Sequence, residues 1–387
     1  MSELFPDYTP VWESPDHVLL RDHARTFLRR EATPNQERWT DQHMVDREFW
    51  NAAGAAGLLC LDVPEEYGGG GGNYGHEAVV VEEIALAQDT CWAFQVHSTI
   101  VSAYIAAYGT EDQKRRWLPD LASGEKVIAI AMTEPDTGSD LQAVRTTAVR
   151  DGDHYRINGS KTFITNGTHA DLVIIVAKTA PAERAKGISL FVAEVSDDTP
   201  GFARGRVLKK IGQNGTDTRE LFFDDLRVPA ENLLGGAEGQ GFFQLMNQLP
   251  RERLIIGVSG IAMAEAAVLE TIKYAKLRHA FGQPIIDFQN SRFELAECKA
   301  EVLAAKTFMD HCVLRAIDGT LDTETASMAK LYGSERQCEI IDRCLQLFGG
   351  FGYMLEAPIA RMYSAARVQK IYGGANEIMK LVVGRGL

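Results

Sequence analysis

"VIAIAMTE", residues 127–134, is where the periodicity of the chain changes. Upstream, "DHVLLRDHARTFLRREA", "HEAVVVEEIALAQ" and "GTEDQKRRWLPDLASGE" carry apolar residues at helical spacing, with turn residues at their ends. From Val127 onward the chain breaks into short β-rich runs: "HYRINGSKTFITNG", "ADLVIIVAK", "GISLFVAEV" and "ELFFDDLRVP". Gly, Asn and Asp separate these runs, as in a small barrel or sandwich. No helical pattern of about ten residues intervenes, which argues against a doubly wound parallel sheet. From about residue 236 long helical patterns return, and two or three long helices plus a shorter last one predict an antiparallel four-helix bundle. The expected fold class is therefore α+β: a helical domain over 1–125, a β-domain over 126–235 and a helical bundle over 236–387.

The chain has 387 residues, enough for a large core without covalent staples. Its formal net charge of −13 argues against a nucleic-acid binder, whose affinity comes from Lys and Arg neutralising phosphates. The six cysteines show no C-x-x-C spacing and read as reduced core thiols. The acidic opening "MSELFPDYTPVWESPDH" has neither an apolar signal region nor an Arg-rich presequence. No apolar stretch approaches the roughly 20 residues of a membrane span. The expected location is cytoplasmic.

Several motifs have more than one reading. "GGGGGNYG", residues 68–75, contains a formal G-x-G-x-x-G, but "PEEY" separates it from the preceding apolar run and no second strand follows. It reads as a flexible surface loop. The nine histidines show no zinc-ligand spacing, and neither a G-x-S-x-G elbow nor a P-loop occurs. In "AMTEPDTGSD", residues 131–140, Thr133, Thr137, Ser139 and backbone N–H groups suit a polar heterocycle or a pyrophosphate; an ordinary turn fits equally. In "KTFITNG", two-residue alternation puts Phe163 and Thr165 on one strand face, as a flat ring with polar edges requires; core packing is the alternative. "LRHAFGQ" and "QLFGGFGYM" end long helical patterns, where an Arg and glycines serve phosphate contacts or plain helix caps.

Together, "AMTEPDTGSD", "NGSKTFITNG", "LRHAFGQPI", "QLFGGFGYM" and "IYGGANEIM" follow the order and approximate spacing of the acyl-CoA dehydrogenase family. The resemblance covers nearly the whole chain, including "VPEEYGGGGG" and "ELFFDDLRVPAENLLG". It implies an acyl-CoA dehydrogenase-like fold, FAD as cofactor, an acyl-CoA substrate, an electron-transfer flavoprotein as electron acceptor and a homotetramer built as a dimer of dimers. Carried over by resemblance, Met132, Thr133 and Ser139 line the flavin, and Phe163 and Thr165 lie beside its ring. Arg278, Gln289, Gln346, Gly349 and Gly350 reach the FAD of a neighbouring subunit, and Ala375, Asn376 and Glu377 form the C-terminal cofactor segment. Ala280 stands where many relatives have Thr, and Phe163 where many have Trp.

The resemblance also implies a displaced catalytic base. Many members read "YEGT" and use its Glu; here the segment reads "YGGA", with Gly373 at that position. The long-chain and isovaleryl branches place the base in an "E-R-L" context at the start of a helix. "LPRERLIIG", residues 249–257, fits that context and assigns the role to Glu252. Pro250 predicts a helix beginning near it. At about 100° per residue, Glu252 shares a face with Leu249, Ile256, Ser259 and Met263, with Arg251 and Arg253 about 100° to either side. That is an inward stripe, unlike a solvated helix-start Glu. The helix N-terminus and the arginines favour the carboxylate, and burial favours the acid.

The implied reaction is α,β-dehydrogenation of a saturated acyl-CoA to the trans-2-enoyl-CoA. Glu252 takes the α-proton, flavin N5 takes the β-hydride, and the backbone N–H of Gly373 with a ribityl hydroxyl stabilises the thioester oxygen. Ser139, Arg253 and Gly373 are the expected substrate contacts, with Arg253 supporting the site. The alternatives are an oxidase-type flavoenzyme using oxygen and a catalytically inactive acyl-CoA-binding relative.

Overall fold

The computed structural model describes residues 4–387. Six α-helices come first: α1 (Pro15–Phe27), α2 (Gln36–Gln42), α3 (Arg47–Ala55), α4 (Tyr74–Leu86), α5 (Ala103–Tyr108) and α6 (Glu111–Ala122). A wide-turned π-helical segment, Val96–Ser102, runs directly into α5. Asn73 caps α4 by accepting from the Gly75 N–H at 2.8 Å, which satisfies one of the orphan donors of a helix start.

Seven strands follow: β1 (Val127–Ala131), β2 (Thr147–Asp151), β3 (His154–Thr165), β4 (Ala170–Lys178), β5 (Ile188–Glu194), β6 (Phe202–Val207) and β7 (Thr218–Pro229). They form one sheet in the order β1-β4-β2-β3-β7-β6, with β5 also paired to β4. β1 and β4 are parallel, while β2–β3, β3–β7, β4–β5 and β6–β7 are antiparallel. The helix-free connections expected from the sequence hold only short 3-10 turns, Leu141–Ala143 and Pro181–Gly187.

β4 explains how the layers join. Val173, Ile175 and Ala177 face a core internal to the β-domain, together with Tyr155, Phe191 and Phe223. The alternate residues Leu172, Ile174 and Val176 face the core shared with the helices. A strand buried on both faces reads as the unbroken apolar run seen here.

The last third holds α7 (Gly241–Leu277), the two-residue strands β8 (His279–Ala280) and β9 (Gln283–Pro284), then α8 (Gln289–Ile317), α9 (Thr323–Gln346), α10 (Pro358–Ala366) and α11 (Asn376–Gly384). α7 packs on α9, α8 and α4, and α9 also packs on α10 and α11.

The structure corrects three expectations. α7 does not begin near Pro250: it starts at Gly241, and Pro250 lies inside it. Proline has no N–H to give the carbonyl four residues back, but packing on three other helices outweighs that loss. α7 is also long and apolar enough to span a membrane, contrary to the reading of the sequence, but 78% of its most apolar 18-residue window is buried inside the protein. The glycine run is a loop but not a free one. Gly70, Gly71 and Gly72 donate to the carbonyls of Cys60, Val63 and Leu61 at 3.1, 2.9 and 2.8 Å. A Cβ on Gly69 would lie 2.2 Å from the Val63 carbonyl oxygen, so this close backbone approach requires glycine.

Candidate active site

A cavity of about 460 Å³ opens where the β-domain, α7, the π-helical segment and the C-terminal segment meet. Met132, Thr133, Ser139, Phe163, Thr165, Glu252, Arg253 and Gly373 all line it. Residues more than 200 positions apart in sequence thus converge on one cavity.

Glu252 lies well inside α7 rather than in its opening turn, so the helix N-terminus contributes little to its charge. Its side chain is buried, and the phenol of Tyr104 donates to its Oε1 at 2.6 Å. Burial pushes the Glu252 pKa above the ordinary carboxylate range; the Tyr104 hydrogen bond and the charges of Arg253 and Arg251 oppose this. The two arginines are held apart from it by other partners. Arg251 donates through Nε to the Thr99 carbonyl at 2.7 Å, pairs with Asp62 and lies over the Tyr74 ring. Arg253 donates through Nη1 to Ser327 at 3.1 Å, and its buried Nε has no protein partner.

Gly373, in the C-terminal segment, lines the same cavity as Glu252. Its φ of 64° is left-handed, and a Cβ there would lie 2.3 Å from Ile256 Cδ1. Lys330 fixes this segment: its buried ammonium donates to the Gly374 carbonyl and to Asn376 Oδ1, both at 2.8 Å. Desolvation lowers its pKa to about 8.

Across the cavity, Phe163 has a φ of 61° at an irregular stretch of the β3–β7 ladder. This backbone turn, more than simple alternation, leaves its ring 66% exposed. Thr133 accepts from the Thr162 N–H at 2.9 Å, and Lys161 donates to Met132 O at 3.0 Å and to Glu134 at 2.9 Å. Glu134 also accepts from Thr146 and from the Arg145 N–H, which locks the loop after β1. Thr137 turns inward, donating to the Ala143 carbonyl, so it serves the loop rather than the cavity.

Comparison with known proteins decides the family. The N-terminal, middle and C-terminal domain models of acyl-CoA dehydrogenase match residues 14–125, 129–226 and 239–387. The chain belongs to the acyl-CoA dehydrogenase family.

It is 46% identical over 374 residues to the mouse long-chain specific acyl-CoA dehydrogenase, covering 96% of this chain and 86% of that protein. A crystal structure of acyl-CoA dehydrogenase from Geobacillus kaustophilus superposes with a TM-score of 0.94 at 43% identity, over 98% of this chain and 99% of that one. One from Bacillus anthracis, complexed with FAD, gives 0.89 at 34% identity, over 98% of this chain and 68% of the other. As a member, this acyl-CoA dehydrogenase is an oxidoreductase that uses FAD.

The residues present fit that cofactor. Phe163 offers an exposed aromatic face, and Thr133, Ser139 and Thr165 offer short polar side chains beside it. Other expected cofactor contacts lie elsewhere. Arg278, Gln289, Gln346, Gly349 and Gly350 are exposed and do not line the cavity. Ala375, Asn376 and Glu377 also lie off it, and Asn376 is bound to Lys330, Ser334 and Glu335 of α9. Tyr104, Lys330, Glu134 and Tyr372 escaped the sequence reading; Glu134, next to Thr133, and Tyr372, next to Gly373, lie in quoted motifs, whereas Tyr104 and Lys330 had no local signal.

Proposed function

We propose that Glu252 is the α-proton base in the dehydrogenation of a saturated acyl-CoA to its trans-2-enoyl product. The supporting observation is a buried carboxylate on the wall of a mainly apolar cavity that Phe163 and Gly373 also line. FAD supplies the two-electron acceptor for the β-hydride. Glu252 takes the α-proton, and the electron pair of that broken C–H bond forms the new double bond as the β-hydrogen departs with its own pair. Tyr104 orients the carboxylate by gripping one oxygen, leaving the other for the proton. The raised pKa brings the base closer to working pH, where proton transfer is most effective. The Gly373 N–H stabilises charge growing on the thioester oxygen, a fixed-donor effect typically worth ~3 kcal/mol. Arg253, held through Nη1 by Ser327, supports this wall of the pocket.

Ile100, Ile130, Phe242, Met246, Leu249, Ile378 and Leu381 make the rest of the wall apolar and exclude water from the acyl chain. Medium to long chains fit this lining, in keeping with the long-chain relative. An electron-transfer flavoprotein is the proposed electron acceptor. A homotetramer would bring the exposed residues around Arg278 to a neighbour's cofactor.

The test is Glu252→Gln with FAD bound. The wild type should bleach anaerobically with acyl-CoA, and the variant should keep its flavin but lose bleaching by at least about a thousandfold. Full bleaching by the variant would remove Glu252 from the reaction.

A further inference from the structure

A second, smaller cavity of about 70 Å³ lies next to the first. Gln95, Val96, Thr165 and Tyr372 line both. One face of α7 runs along the two: Leu249, Glu252 and Ile256 face the larger cavity, and Ser259 and Met263 the smaller. At 1.5 Å per residue, Ser259 lies about 10 Å beyond Glu252 along the helix axis. Across the shared wall, Gln95 Nε2 donates to Tyr372 Oη at a long 3.4 Å, a weak closure between the two spaces.

The chemistry changes beyond that wall. Asp89 Oδ2, Trp92 Nε1, Gln337 Oε1 and Gln369 Oε1 are buried without a protein hydrogen-bond partner, and all four residues line the small cavity. Half of the eight such side-chain atoms among the described residues therefore cluster at one place. Such groups are costly to bury unsatisfied, so the site is shaped for a polar occupant. Their mix is selective. Three are acceptors and one, the Trp92 indole, is a donor. Asp89 already accepts from the Cys91 and Trp92 N–H groups through its other oxygen, and burial raises its pKa to about 6. A carboxylate would be repelled here, and a methyl end would leave all four atoms stripped. A hydroxyl can donate to an acceptor and accept from the indole.

We infer that this cavity is the far end of the acyl site and hydrogen-bonds a hydroxyl carried near the distal end of the chain, so that hydroxyacyl thioesters are among the substrates. The inference rests on the acyl-CoA reading of the larger cavity.

The test uses the FAD-loaded Glu252→Gln protein, which should bind without turnover. Calorimetry compares plain acyl-CoAs with their ω-hydroxy counterparts across a graded series of chain lengths. At the length that reaches the small cavity, the hydroxyl should tighten binding about fivefold. Gln369→Leu or Gln337→Leu, added to that protein, should erase the gain while leaving the plain acyl-CoA bound at least as tightly. Plain chains binding with no hydroxyl preference at any length would overturn the inference alone, as would a preference both Leu variants retain. If no plain acyl-CoA binds at any length, the acyl-CoA reading falls and takes this inference with it. Should the Leu variants fail to fold, the length series decides by itself.

Discussion

Tyr104 and Glu252, 148 residues apart, meet in the buried interior through one hydrogen bond of 2.6 Å. The phenol donates, so it favours the charged carboxylate and works against the burial that raises its pKa. Tyr104→Phe should therefore raise the Glu252 pKa further. A hydrogen bond to a charged group is worth roughly 1.5–3 kcal/mol, or about one to two pH units. The acid limb of kcat/KM should move up by about that much, with activity lost at neutral pH and regained in alkali. An unmoved limb would show that Tyr104 only fills space.

Gly373 and Ile256 compete for one volume. Gly373→Ala adds left-handed strain of about 1–2 kcal/mol and displaces the Ile256 tip. Ile256→Val removes that tip, so the double variant should recover part of the loss. Denaturant titrations of the four proteins in this cycle measure the coupling. Strict additivity would mean that the two side chains do not touch.

Glu77 predicts a pH dependence of stability. It is fully buried and accepts from the Leu61 N–H, Ser98 and Thr99 at 2.8, 2.8 and 2.7 Å. Desolvation, then the Asp62 charge, raise its pKa from 4.5 to about 7. Between those values the folded protein holds a proton that the unfolded chain has released. Stability from this group is thus full below pH 4.5 and falls as pH rises toward about 7. Glu77→Gln keeps the shape and carries no charge. Its stability relative to wild type should rise across that window, by roughly 3 kcal/mol at most. Parallel curves of melting temperature against pH would refute the shift.

The surface near Arg278 should be covered in the assembled protein. Phe281, just beyond the end of α7, is 97% exposed; Leu277 at that end is exposed too, as are Tyr353 and Leu355 in the segment between α9 and α10. Exposed large apolar side chains in such a group mark an interface. Phe281→Asp should shift the sedimentation coefficient toward monomer and cause loss of bound FAD. Retention of both assembly and flavin would place the interface elsewhere.

The legible part of the fold was local. The alternating and unbroken apolar runs at 127–229 produced strands, and the residue-by-residue burial of β4 follows from that pattern. Met132, Thr133, Ser139, Phe163, Thr165, Glu252, Arg253 and Gly373 were legible because each sits in a recognisable short motif, whereas Phe242 and Met246 of the same cavity sit in none. The start of α7 was misread because Pro250 carries a helix-start signal, and only packing against α4, α8 and α9 shows why the helix continues through it. The glycine run looked free because nothing in its own sequence points to the 60–63 backbone that receives its N–H groups.

By itself, the sequence determined the order of helical, β and helical layers and the inward stripe carrying Glu252, since both follow from periodicity within a single element. Only the tertiary structure decided what faces that carboxylate. Tyr104 as its donor, Lys330 as the anchor of Gly374, and the polar atoms of Asp89, Trp92, Gln337 and Gln369 around one small space all depend on contacts between distant segments. No spacing along the chain encodes such contacts, because they are fixed by how whole helices and strands pack.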